Sequence, residues 1–448
     1  MPNQALSATV PAAGAHAAAL ARARNSTASE KWDLNHRFPI VMERASGVHV
    51  WDVGGRRYTD FTSCSGAAPL GAGFAPVVER VSAELARTGG ILPGPLSLQR
   101  VEVAERLAEV FPCAERSIFF RTGSCATTAA VRLARVHTGA RLVLTSGYHG
   151  WHDWQLQYRP ELALPDRDPD TVDFGYDLDR LDSLARAADR VAAVIVTPEV
   201  NFYPPEYIRQ LETIARSRGA LVIVDEVMTG FRYAWRGYHC AAGLEPDLIT
   251  LSKGLANGMA LSAVAGRSAV VRADELTYLG NTYQREVTPF AAALATLDAY
   301  ADGAAMARMR GVGTLLIEGL NEVFERSGVD AWARSWPTMF DVLFGDRELG
   351  HLFFQEMWDR GFLMQYGGRF MPSSATSNAD IGAALAAAPE ALATAQEKRG
   401  AGTAAGAPVA AEDAAVTFAA DAFGATEHSV RQWFVPQTGP HRTGRARR

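Results

Sequence analysis

Between residues 117 and 264, short apolar runs alternate with stretches whose apolar positions recur at helical spacing. The runs at 117–120, 141–145, 191–196, 221–224, 248–251 and 263–264 are short and rich in β-branched residues, so they read as strands. Residues 126–138, 178–188 and 205–218 between them have the pattern of amphipathic helices. Because the strand runs are apolar throughout, both of their faces are expected to be covered, as in a mostly parallel central sheet of an α/β protein. Upstream, 76–86 and 98–110 also read as amphipathic helices. Residues 48–52 and 58–61 flank Val53, Gly54 and Gly55, which predicts a strand, a glycine turn and a return strand. Residues 310–395 mix helix, short strands and helix, and with the hairpin they predict a smaller α+β domain.

The ends have a different texture. Residues 1–30 are Ala-rich and read as an N-terminal arm, and 401–415 are nearly all small residues, as in a linker. Residues 416–423 regain some apolar content, and 441–448 are basic. The expected division is an arm at 1–30, the first part of a small domain at 31–75, a large domain at 76–305, the rest of the small domain at 306–395, and a linker with a C-terminal extension at 396–448.

Composition narrows the class. With 448 residues, 48% of them apolar, the chain can bury a substantial core. A formal charge of −5 argues against nonspecific nucleic-acid binding. Cys64, Cys113, Cys125 and Cys240 are too scattered for a disulfide framework, and neither a secretory leader nor a membrane span is expected from these residues. The expectation is a cytoplasmic enzyme with neither a membrane nor a nucleic-acid partner.

Asp225 closes one apolar strand, and Lys253, among small residues, follows another. A carboxylate and an amine at the carboxyl ends of neighbouring strands can meet in one crevice. Pyridoxal phosphate (PLP) chemistry needs this pair: a lysine for the Schiff base and proton movement, and an aspartate to keep the pyridine nitrogen protonated. An acidic pair at Asp225 and Glu226 also suits a Mg²⁺ nucleotide site, but no Gly-x-x-x-x-Gly-Lys-Ser/Thr loop accompanies it. Gly123 and Ser124 lie between a strand and the helix 126–138, where free N–H groups and the helix dipole favour a phosphate; an ordinary N-cap reads the same way. Tyr148 can stack on a flat heterocycle, and His149 can orient it. The Tyr148–His152 segment lacks a recognisable metal-ligand pattern, so no metal is expected.

These residues, together with the 51–60 segment and the run from Asp225 through Gly230 to Arg232, resemble the class III aminotransferases of the fold-type I PLP-dependent transferases, which include glutamate-1-semialdehyde aminomutase. The resemblance spans roughly residues 40–395. It implies that Gly123, Ser124 and Cys125 cradle the phosphate, that Tyr148 and Val227 cover the two faces of the ring, that Asp225 holds its nitrogen, and that Lys253 is the Schiff-base lysine. It also implies that Thr282 reaches the neighbouring subunit's phosphate, so that the enzyme is an obligate homodimer with shared sites.

Three departures bear on the substrate: Cys125 where an acidic residue is common, Thr197-Pro198-Glu199 where Glu-Pro-Val/Ile is common, and 283–286 where Gly-Asn/His-Pro is common. With 145–150, 253–258 and 364–368, they resemble aminotransferases of aminoglycoside antibiotic biosynthesis, of the neomycin and gentamicin type, that install the amine at C6′. The implied reaction carries an amino group from L-glutamate or L-glutamine to a 6′-oxo amino sugar. Expected substrate contacts are Trp151, Asp153, Glu199 and Glu286, with Arg232 as a mobile arginine that accommodates both a dicarboxylate and a polycation. Alternatives on the same machinery are an epimerase of the C6′ centre working through Lys253, an aminomutase of a small amino acid, and an inactive PLP-fold regulator.

Overall fold

Asp52 turns the chain at the first hairpin: its Oδ1 accepts hydrogen bonds at 2.9 Å from the N–H groups of both Gly54 and Arg56. The computed structural model describes residues 14–28, 40–94, 96–155, 157, 168–364, 369–400 and 411–434. The rest of the N-terminal arm, residues 365–368 of the 364–368 stretch, 401–410 of the expected linker and the basic tail lie outside the described residues. Around the Asp52 turn, β1 (Met42–Ser46), β2 (His49–Asp52) and β3 (Arg57–Asp60) run antiparallel, with His49 opposite Thr59, as the sequence pattern predicts.

The next seven strands are β4 (Arg116–Phe120), β5 (Leu142–Ser146), β6 (Thr171–Asp173), β7 (Val191–Val196), β8 (Leu221–Asp225), β9 (Leu248–Leu251) and β10 (Ser262–Gly266). They form one sheet in the order β4-β10-β9-β8-β7-β5-β6. All neighbouring pairs are parallel except those made by β10, which runs against both β4 and β9. The carboxyl ends of the other six strands therefore share one edge. Every residue of β7 is buried, and so are four of the five in β8, because helices cover both faces.

Then follow β11 (Ala331–Arg334), β12 (Asp341–Phe344) and β13 (Phe362–Leu363). β13 joins β3 in parallel and completes a four-stranded sheet, while β11 and β12 form a separate antiparallel pair. Helices Ala304–Arg326, Arg347–Asp359 and Asn378–Gly400 pack with these strands around a second apolar core that includes Phe324, Phe344, Phe353 and Leu392. The architecture is that of the fold-type I PLP-dependent transferases, with a mixed sheet and helical layers.

Several helices among the described residues go beyond the sequence expectation. Thr288–Tyr300 is apolar nearly all round and has no polar face to betray its period. Ala411–Phe423 occupies part of the segment expected to be a linker, and Glu427–Trp433 follows it. Thr426 starts the second of these helices by accepting a hydrogen bond from the Ser429 N–H. Ala415, Ala419, Phe423 and Val430 of the two helices join the core beneath the seven-stranded sheet. Among the described residues, no helix is long and apolar enough to cross a membrane.

Candidate active site

The shared strand edge brings Gly123, Ser124, Tyr148, His149, Glu199, Asp225, Val227 and Lys253 around one pocket of about 360 Å³. Each arrives by a short turn from a strand end. Asp225 is the last residue of β8, and Lys253 lies two residues beyond β9. Lys253 adopts φ 36°, a left-handed conformation unusual for a residue with a side chain, and the buried Gly254 and Leu255 follow it.

The Asp225 carboxylate is 2% exposed and tightly surrounded by hydrogen-bonding groups. Its Oδ1 accepts from Thr250 Oγ1 at 2.8 Å and from the Val227 N–H at 3.1 Å. Its Oδ2 lies 2.8 Å from His149 Nδ1 and accepts from Thr197 Oγ1 at 3.4 Å. The carboxylate is thus locked in orientation. The opposite nitrogen of His149, Nε2, is buried without a hydrogen-bond partner.

The helix Gly123–Thr138 opens on Thr122, whose side chain accepts from the Cys125 N–H at 3.3 Å. Cys125 Sγ lies 3.2 Å from the same hydroxyl, and Cys125 is not among the pocket-lining residues. Of the three residues expected to cradle the phosphate, Cys125 has its N–H held by Thr122, while the first-turn N–H groups of Gly123 and Ser124 remain for an anion. Glycine leaves room at this junction, because a Cβ on Gly123 would stand 2.9 Å from Val227 Cγ1 and force that side chain to shift. Gly150, at φ 130°, is required, since a Cβ there would collide with Ser124 Oγ and Gln155 Oε1.

The other half of the pocket is ionic. Arg369 Nη2 lies 2.5 Å from Glu199 Oε2, and Arg369 Nε lies 3.3 Å from Asp341 Oδ1. Burial pushes the Glu199 carboxyl up, and the Arg369 guanidinium pulls it back. Burial also opposes the charge on Arg369, but Asp341 and Glu199 outweigh it and hold the guanidinium protonated. Lys253 is pulled down, first by burial and then by Arg369 and Arg232, while Asp225 and Glu199 act the other way. A depressed amine is more readily neutral and able to accept a proton.

Arg232, expected as a mobile arginine, is held in place and does not line the pocket. It is 1% exposed and donates to the carbonyls of Thr338, Pro372 and Gly66, so its role is to tie three segments together. Trp151 is 71% exposed and Asp153 is exposed, and neither lines the pocket. Glu286 pairs with Arg121 at 3.4 Å outside it. Of the five expected substrate contacts only Glu199 lines the pocket. Thr282 is exposed on the single chain and lies outside the pocket of its own subunit.

Sequence reasoning missed Arg369, Asp341, Thr197, Met228, Phe418, Ala422 and Phe423, all of which line the pocket. Thr197 carried a signal, since it stands in one of the departures from the family pattern. Arg369 carried none, being one of 44 cationic residues in an irregular segment.

The donor set fits PLP: an amine, an oriented carboxylate and two first-turn N–H groups beside a hydroxyl, all around one cavity. Fold and site together define a fold-type I PLP-dependent transaminase. The sequence profile of aminotransferase class-III matches residues 32–392, and the chain belongs to that family. It is 38% identical over 332 residues to the 2'-deamino-2'-hydroxyneamine transaminase of Streptomyces kanamyceticus, covering 74% of this chain and 84% of that one. It is 36% identical over 280 residues to a glutamate-1-semialdehyde 2,1-aminomutase of Symbiobacterium thermophilum, covering 58% and 64%. Among solved structures, the FumI protein of Sphingopyxis sp. MTA144 in its PLP internal aldimine form superposes with a TM-score of 0.80, at 25% identity over 87% of this chain and 98% of that one.

Proposed function

We propose that the enzyme transfers an amino group from L-glutamate or L-glutamine to the 6′-aldehyde of an aminoglycoside intermediate. The observation that carries this reading is the ionic wall of Glu199, Arg369 and Asp341, which offers two carboxylates and one guanidinium to the same cavity that holds Lys253. A dicarboxylate donor finds its counter-charge in Arg369. A polycationic acceptor finds its counter-charges in Glu199 and Asp341, each hydrogen bond to a charged group contributing about 1.5–3 kcal/mol. Likeness to a transaminase named for a neamine derivative supports an amino-sugar substrate.

PLP, when bound, carries the amino group between the two substrates and takes up the electron pair left on the substrate carbon. The chain's residues set the conditions for this. The Gly123 and Ser124 N–H groups would hold the phosphate, Tyr148 and Val227 would flank the ring, and Asp225, fixed by His149 and Thr250, would keep the ring nitrogen protonated. Lys253 Nζ takes the proton from the donor carbon and returns one to the acceptor carbon.

We further propose a homodimer with shared sites, in which Thr282 meets the partner's phosphate. Tyr278, Leu276 and Tyr283 are 81%, 78% and 61% exposed, and Leu96 and Leu98 are 68% and 67% exposed. The two segments are joined where the Leu92 N–H donates to Arg285 O at 3.0 Å. An apolar surface of this kind is a candidate subunit contact.

The test is to add L-glutamate, L-glutamine and a 6′-amino aminoglycoside separately to the PLP-loaded enzyme. Loss of the cofactor's visible band with release of 2-oxo acid or sugar aldehyde is expected. An unchanged band with deuterium uptake at C6′ in D₂O would replace transamination by epimerisation.

A further inference from the structure

Helices Ala411–Phe423 and Glu427–Trp433 lie beyond residue 392, where the family profile stops, yet the first of them contributes Phe418, Ala422 and Phe423 to the pocket lining. Their attachment is extensive. Phe418 stacks on Phe202 with ring centroids 5.7 Å apart and planes within 7°, and Phe423 sits edge-on to Tyr176 at 5.3 Å. The Thr426 N–H donates to Gly175 O at 2.9 Å. A Cβ on Gly175, at φ 62°, would stand 2.9 Å from Thr426 Cγ2, so the glycine is what admits this turn.

The position of the wall is informative. Phe202 belongs to the turn that begins at Glu199, whose carbonyl accepts the Phe202 N–H at 2.9 Å. The helix Ala411–Phe423 also packs on β12, which begins with Asp341. The aromatic wall therefore adjoins the two carboxylates of the ionic half, while the phosphate-holding turn belongs to β4 and the helix after it. A ligand pressed against this wall meets an apolar surface beside two anions. That surface suits the C–H face of a rigid ring bearing cationic amines, and offers nothing to a short linear dicarboxylate.

We propose that the C-terminal helices form a ring-binding wall that selects the acceptor, with Phe418 and Ala422 as specificity-determining residues. The assignment of an amino sugar to this wall rests on the proposed function. The wall itself is tested by half-reactions of the PLP-loaded Phe418→Ala and Ala422→Trp enzymes with L-glutamate, a 6′-amino aminoglycoside and cyclohexylmethylamine, a ring-borne amine without further charge.

The expected result is a loss of kcat/KM of about tenfold or more toward both ring-borne amines, the range a change in apolar pocket contact produces. The L-glutamate half-reaction should lose clearly less than that of either ring-borne amine. That half-reaction also reports an intact fold in each variant. A parent enzyme inert to the aminoglycoside, with wall-dependent turnover of cyclohexylmethylamine, would remove the proposed acceptor and keep the wall. Equal losses for all three amines, unchanged rates for both ring amines, or a parent inert to both would overturn the wall.

Discussion

Arg369 bridges Glu199 and Asp341 in a pocket where all three are shielded from water, so removing it strands two carboxylates. Arg369→Ala should reduce the L-glutamate half-reaction by about 10- to 100-fold, the equivalent of one charge-assisted hydrogen bond. The KM should carry most of the loss, because the guanidinium binds the donor without moving a proton; a fall confined to kcat would contradict the assignment. A second residue-scale prediction concerns Asp173 at the end of β6. Burial raises its carboxyl from the ordinary 3.8 to about 6, against hydrogen bonds from Gly175 N–H and Ser146 Oγ. The folded chain thus binds this proton more readily than the unfolded chain, and stability from this group falls as pH rises between about 4 and 6. Asp173→Asn, which keeps an acceptor oxygen, should raise stability by at most about 3 kcal/mol above pH 6 and by nothing near pH 4. Thermal melts across that range measure it. Asp225 and Lys253 were legible in the sequence because each ends or follows an apolar run that becomes a strand. Arg369 was not, since its role depends on chain segments distant in sequence meeting at the strand edge.

At the scale of elements, the helix Gly123–Thr138 has two tasks, covering the sheet and offering its first turn to the pocket. Thr122 keeps that turn wound by holding the Cys125 N–H. Thr122→Ala should cost about 1 kcal/mol of stability. It should also weaken PLP retention, because a frayed first turn no longer presents the Gly123 and Ser124 N–H groups together; equilibrium dialysis of the cofactor reads this directly. The helix Leu98–Val110 was legible to the residue, and the strands that were named fell within a residue or two, while β1 and β11 to β13 were not placed, because only apolar runs and periodic faces are local signals. Thr288–Tyr300 was hidden by being buried all round, and β6 by its three-residue length. Ala411–Phe423 was hidden by composition: the small residues that suggest a linker also let a helix approach the aromatic cluster of Tyr176, Phe202 and Tyr203 closely.

At the scale of the molecule, the proposed shared site has a direct test. In a mixed dimer of Lys253→Ala and Thr282→Ala subunits, one of the two sites combines an intact Lys253 with an intact Thr282. Activity at limiting PLP should therefore reappear on mixing, although Lys253→Ala alone is inactive and Thr282→Ala alone binds PLP about 10- to 100-fold more weakly. No recovery would mean that each subunit completes its own site.

The C-terminal helices have one more consequence, for the order in which the protein is made. As the chain leaves the ribosome, the strands from β4 to β10 emerge long before residues 411–434 that cover Tyr176, Phe202 and Tyr203. During that interval an aromatic surface destined for the interior stays uncovered, the kind of exposure that invites aggregation and chaperone binding. Slow translation of the last hundred codons should lower the yield of native enzyme more than slow translation of the first.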